Sequence, residues 1–188
     1  MNDRAFIADY AAYFVQVMQP DDLAQQLCAA RDALVATRDR DRMVLLAGNG
    51  ASASIASHYA LDFTKQAGIR AMAFNDATLV TAYGNDYGYE RWVERALGHY
   101  CQSGDTAVLI STSGSSANLV NAADQCRAMG VTSVTLTGFE SSNPLRTRGD
   151  INLWADSRAY NVVEAVHTLW LGMLCDLVIG CREYGVKG

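Results

Sequence analysis

The chain has 188 residues, of which 50% are hydrophobic and 19% charged, and its 20 acidic and 15 basic side chains leave a formal charge of -5. That length and apolar fraction exclude a disordered chain and suffice for one globular domain spanning residues 1–188. The acidic balance, with no long basic run, supplies no field for nucleic acid, so that partner is not expected.

Residues 2–18 and 21–39 have helical composition, with Ile7, Tyr10, Phe14 and Met18 at three- and four-residue intervals and Pro20 marking the break. These two helices form an extension ahead of the core. Their apolar stripe needs a cover, either the core or a second copy, which makes a homo-oligomer an expectation.

Met43-Val44-Leu45-Leu46-Ala47 is a continuous apolar run that ends in Gly48-Asn49-Gly50-Ala51-Ser52 and passes into a helical pattern reaching about Gln66. The same strand, turn and helix recur at 106–110, Ser111 to Ser116, and on to about Met129. Val131 to Leu136 reads as another buried strand, and Arg70 to Phe74 and Ile151 to Trp154 as shorter ones. Between them, Asn85-Asp86-Tyr87-Gly88-Tyr89-Glu90 reads as a turn into a helix around Trp92, with Asp86 its cap and His99 near its end without an obvious partner. Strands apolar on both faces and separated by helices predict a three-layer α/β/α fold around a five-stranded parallel sheet. Ligands in such sheets bind beyond the carboxyl ends of the strands, where both Gly/Ser turns fall.

The most apolar stretch, Leu169 to Gly180, is broken by Asp176 and shorter than the roughly 20 residues that cross a bilayer, which predicts a buried last helix and no membrane partner. Cys28, Cys101, Cys126, Cys175 and Cys181 lack the paired spacing of a zinc knuckle or redox motif and read as free thiols. With no apolar leader after Met1-Asn2-Asp3-Arg4, a cytoplasmic location is expected.

Ser111, Thr112, Ser113 and Ser116 place hydroxyl donors beside the exposed amides of a helix start, a combination suited to a phosphate monoester without lysine or arginine. The competing reading is a serine-rich helix cap. Asn49, Gly50 and Ser52 form the second turn, where glycine permits close backbone approach and serine adds a donor; a plain tight turn explains it equally well. Asn85 and Asp86 are candidates for meeting sugar hydroxyls. His58 and Asp62, four residues apart, share a helix face and suit acid/base work or two metal ligands, or else a local hydrogen bond. Glu164 and His167 lie a turn apart in an apolar helix, where a charged group must find solvent, a partner or a ligand.

Taken in order, Gly48 to Ser52 followed by His58, Asn85 to Tyr89, Ser111 to Asn118, and the Glu164/His167 helix resemble the sugar isomerase (SIS) domain superfamily, and within it the sedoheptulose 7-phosphate or phosphoheptose isomerase family. The resemblance covers nearly the whole chain. It implies a phosphorylated sugar held by Ser52, Ser111, Thr112, Ser113 and Ser116, assembly through the amino-terminal helices into a homotetramer, and sites at subunit interfaces. It also implies a reaction centre, sometimes with zinc, built from two pairs. One pair falls at His58 and Asp62, with aspartate where the family has glutamate. The other falls at Glu164, where the family has glutamine, and Gly172, where it has histidine. The catalytic candidates are therefore Asp62 as base, assisted by His58, Glu164 or His167, with His58, Asp62 and Glu164 as the candidate zinc ligands. The alternative is a phosphosugar sensor or assembly protein without isomerase activity.

Overall fold

The apolar runs between residues 43 and 154 pair as one parallel sheet in the computed structural model, which describes residues 2–183 and 185. The strands are β1 (Val44–Gly48), β2 (Ala71–Ala73), β3 (Thr106–Ser111), β4 (Thr132–Thr137) and β5 (Ile151–Trp154), in the order β2-β1-β3-β4-β5. Val44 lies opposite both Ala71 and Thr106, and Val108 opposite Val134, so the apolar centres of the strands are in step. β1, β3 and nearly all of β4 are buried along their length, as expected of central strands covered on both faces.

Seven helices complete the described chain: α1 (Asp3–Met18), α2 (Leu23–Asp39), α3 (Ala51–Lys65), α4 (Ala77–Tyr87), α5 (Trp92–Tyr100), α6 (Ala117–Met129) and α7 (Tyr160–Ile179). One face of the sheet is covered by α2, α3 and α7, whose Leu34, Phe63, Trp170 and Leu174 join Val44, Leu46, Val108 and Leu136. The other is covered by α5 and α6, whose Trp92, Leu97, Leu119 and Cys126 join Leu45, Ala107 and Leu109. Alternate residues of one strand thus enter opposite cores, the period-two consequence of the pleat. Each fully buried Leu, Val or Phe contributes about 1.5–3 kcal/mol. At the amino edge of the sheet the buried Asp105 carboxylate accepts the amides of Met43 at 2.8 Å and Gln102 at 2.7 Å, fixing the entry of β1 beside β3.

Three expectations are revised. Asn85 and Asp86 do not precede α5; they end a separate helix, α4, capped by Asp76, which accepts the amides of Thr78 at 2.9 Å and Leu79 at 3.1 Å. Asp86 is therefore not a cap, and α5 begins after Arg91 without a side-chain cap. His99 has a partner, since its Nδ1 lies 2.6 Å from the Tyr83 hydroxyl on α4. The last helix is longer than its most apolar stretch: at 20 residues α7 has the length and composition to span a membrane, yet Val162, Val163, Val166, Trp170, Leu171, Leu174 and Cys175 are buried in the protein, as in a core helix. All five cysteines are free thiols.

The amino-terminal helices pack only in part. Val17 is buried and Phe14 and Met18 lie against the core, but Phe6, Ile7 and Tyr10 are exposed, Ile7 by 66%. Polar anchors hold α1 from its middle to its carboxyl end: the Trp170 indole donates to the Met18 carbonyl at 2.9 Å, Tyr13 to the Ser157 hydroxyl at 2.7 Å, and the Asn161 amide to the Tyr10 hydroxyl at 2.7 Å.

Candidate functional site

Strand order reverses between β1 and β3, because the connection from β1 runs through α3 on one face and that from β3 through α6 on the other. The crevice at their carboxyl ends is where open α/β sheets bind ligands. Both turns singled out in the sequence open into it.

The first turn is compact because Gly48 has no side chain: a Cβ there would lie 2.6 Å from the backbone of Ser52. Glycine lets the strand end sit on the first turn of α3, and it buries Ser52 there. The second turn folds on itself. Ser111 Oγ lies 3.1 Å from Ser116 Oγ and accepts the Gly114 amide at 3.2 Å, while Ser113 Oγ accepts the Ser115 amide at 3.3 Å. Gly114 is left-handed (φ 66), and a Cβ on it would collide with the Asn143 side chain. Ser116 occupies the N-cap position of α6, yet its hydroxyl makes no cap bond and turns to Ser111 instead. Gly50 likewise starts α3 with no side-chain cap. Two helix starts therefore reach the crevice without side-chain partners, and their amides and dipoles favour an anion there. A serine-rich cap does not account for the second turn.

The other candidates are scattered. Asn85 and Asp86 are exposed on α4, where the Asn85 amide donates to the Asp86 carboxylate at 2.9 Å. They do not line the cavity of about 340 Å³ beside the first turn, whose walls include Asn49, Gly50, Ser57, Asn75, Tyr89 and Trp92. His58 Nε2 lies 3.2 Å from Asp62 Oδ2, on the outer side of α3, with the histidine side chain 63% exposed and the aspartate 27%. The pair is formed within one helix and is open to solvent.

On α7, Glu164 is half-buried and His167 fully buried. His167 Nε2 donates to the Thr137 carbonyl at 3.1 Å, its Nδ1 has no partner, and desolvation pushes its pKa down to about 4. Sealed beneath β4, it has no route to a substrate, which removes it from the catalytic candidates. A turn further on, the Tyr59 hydroxyl donates to the Thr168 carbonyl at 2.5 Å and stands 3.2 Å from where a Cβ at Gly172 would be. Tyr59 thus occupies part of the space in front of the glycine.

The expected zinc ligands are not gathered within one chain. Among the described residues no three His, Cys, Asp or Glu side chains lie together as a metal cluster, so Glu164 does not join His58 and Asp62. Tyr59, not a carboxylate, bridges α3 to α7 at this level, and Gly172 offers no ligand. The side chains of this single chain do not fit a zinc centre.

Three side chains beside the crevice were given no role from the sequence: Tyr89, Asn118 and Asn121. Asn49 Oδ1 accepts the Tyr89 hydroxyl at 2.9 Å and the Asn118 amide at 2.9 Å, and Asn49 Nδ2 donates to Asn118 Oδ1 at 3.0 Å. Asn121 donates to the Glu90 carbonyl at 2.8 Å. The available signals were the places of Tyr89 and Asn118 at the ends of the Asn85 to Tyr89 and Ser111 to Asn118 runs; nothing in the sequence pairs either with Asn49.

A doubly wound parallel sheet with a serine-lined crevice at its switch point is the architecture of a ligand-binding α/β protein. The SIS domain family model matches residues 5–138, and the chain belongs to that family and to its phosphoheptose isomerase branch. It is 31% identical to the phosphoheptose isomerase of Aliarcobacter butzleri, over 93% of this chain and 95% of that protein. It is 32% identical to that of Trichlorobacter lovleyi, over 98% and 96%. Among solved structures, the phosphoheptose isomerase of Neisseria gonorrhoeae superimposes with a TM-score of 0.84 at 26% identity, covering 93% of this chain and 98% of that one.

Proposed function

We propose that the chain binds a sedoheptulose 7-phosphate-like sugar phosphate in the crevice between β1 and β3 and interconverts its aldose and ketose forms. The observation that carries this is the uncapped α6 start after the turn of Ser111, Thr112, Ser113 and Ser116, whose Ser116 hydroxyl turns to Ser111, with Ser52 in the turn after β1 as a further donor. Hydroxyls and amides without a basic side chain suit a phosphate monoester. Asn49 and Gly50 form the adjoining wall, and Asn85 and Asp86 remain candidates for sugar contact only if the sugar extends over α4.

In this reading Asp62 is the base. Its carboxylate takes the proton from the carbon next to the carbonyl, leaving an enediolate, and after the hydroxyl proton has moved between the two oxygens it returns its proton to the neighbouring carbon, so atoms and charge balance and the carboxylate is regenerated. His58, in contact with Asp62, orients that carboxylate. Glu164 serves proton movement between the two oxygens. Because Asp62 is ten residues, or about 15 Å of helix, beyond Ser52, both are brought to one sugar most readily across an interface between copies. The open His58/Asp62 pair, the exposed Leu61 beside it and the exposed Phe6 and Ile7 support assembly of copies, which we read as a homotetramer; the reading places it in the cytoplasm.

A second reading is favoured by one observation: Gly172 has no acid or base, and Tyr59 stands in front of it. A chain lacking that group would bind the phosphosugar as a sensor or assembly protein. NMR of sedoheptulose 7-phosphate in both directions, with Asp62→Ala as control, separates the two. Turnover lost in the control supports the isomerase. Binding without turnover supports the sensor, and absence of binding refutes both.

A further inference from the structure

We infer that Asn118 and Asn121 of α6, acting through Asn49 and Tyr89, are positioning residues that set the sugar-facing wall independently of the phosphate turn. The inference rests on the phosphosugar reading and goes one step further, to what fixes specificity.

Asn118 and Asn121 are three apart and lie on one face of α6. Asn118, only 2% exposed, forms a reciprocal amide pair with Asn49, at 3.0 and 2.9 Å. The Tyr89 hydroxyl donates to the same Asn49 oxygen at 2.9 Å, and the next residue, Glu90, gives its carbonyl to Asn121 at 2.8 Å. The bonds close a ring from α6 to the turn after β1, on to the loop between α4 and α5, and back to α6. Both acceptor sites of Asn49 Oδ1 are used, so the turn has one rotamer that satisfies all three bonds to Tyr89 and Asn118. Tyr89 is 56% exposed, yet its hydroxyl is anchored, which makes its ring a fixed wall of the 340 Å³ cavity. No hydroxyl of Ser111, Thr112, Ser113 or Ser116 takes part in the ring. Loosening it should therefore move the wall and leave the anion cradle in place.

The test is calorimetry of the full chain, Tyr89→Phe, Asn118→Ala and the double variant, each against sedoheptulose 7-phosphate and against inorganic phosphate. Each single variant is expected to weaken the sugar phosphate about tenfold, the loss of one buried or anchored hydrogen bond, and inorganic phosphate less than about twofold. The double variant should be no weaker than about the worse single, because the two act through one oxygen. Equal loss on both ligands, additive losses or no loss overturns the inference while sugar binding by the wild type still upholds the phosphosugar reading. If Asn118→Ala does not fold, Tyr89→Phe, which removes one exposed hydroxyl, carries the same two-ligand comparison. A wild-type chain that binds neither ligand overturns the phosphosugar reading and this inference with it.

Discussion

Lowering the pH through the histidine range should destabilise the fold through one side chain, His167. It is completely buried, its Nε2 proton is committed to the Thr137 carbonyl and its Nδ1 faces no partner, so a second proton would place a charge in the core. Burial lowers its pKa from 6.5 to about 4. In the unfolded chain the ring titrates near 6.5, and between the two values the unfolded state binds more protons than the folded one. The stabilisation from keeping this ring neutral is thus fully present above the unfolded value and is lost as the pH falls toward the folded one. A difference of about 2.5 units at 1.36 kcal/mol each, less the partial protonation at the lower end, amounts to about 3 kcal/mol by pH about 4. That is a large share of the roughly 5–15 kcal/mol that holds a domain folded. Urea melts across this range would show it, compared with His167→Gln, which keeps an amide donor for Thr137 and cannot titrate. The variant should start less stable at neutral pH and lose less on acidification. Parallel pH curves for the two proteins would refute the assignment.

Replacing Ser113 and Ser116 together by alanine should weaken calorimetric affinity for phosphosugar at least about tenfold while shifting stability by under about 1 kcal/mol, since neither hydroxyl caps α6. Gly172→His should cost about 1–3 kcal/mol in urea, because its Cβ would meet the Tyr59 hydroxyl at 3.2 Å; adding Tyr59→Phe should return part of that. Sedimentation at micromolar concentration should find an oligomer, and Ile7→Asp, at an exposed position of α1, should shift it toward monomer without unfolding it.

The strand-turn-helix grammar was legible in the sequence because its signals are local. A five-residue apolar run followed by Gly48-Asn49-Gly50, or by Ser111 to Ser116, specifies a buried strand and a turn from short-range sterics and burial alone. The parallel sheet followed from strands apolar on both faces. Helix α4 was missed for a comparable local reason: its polar last turn, Asn85-Asp86, looks like a loop, and only the Asp76 cap and the packing of Leu79, Val80 and Tyr83 on the α5/α6 side show that the helix runs through it.

The composition of the serine-rich turn was likewise written in the sequence, but whether its serines serve as a cap or turn to one another was not. That depended on Gly114 adopting a left-handed backbone beside Asn143, from a loop nearly thirty residues away. The fates of Glu164 and His167 show the same division. One turn apart in sequence, they were equal candidates, and the helix period could not say which faced solvent. The roll of α7 on the sheet decided it, placing His167 under the Thr137 carbonyl and leaving Glu164 half-open. What the sequence determined by itself were elements and chemistries, because these depend on residues near in the chain. Only the tertiary structure decided which side chains meet, as Asn49, Tyr89 and Asn118 do, because a hydrogen bond between distant residues is set by how helices pack, and side-chain type carries no record of its partner.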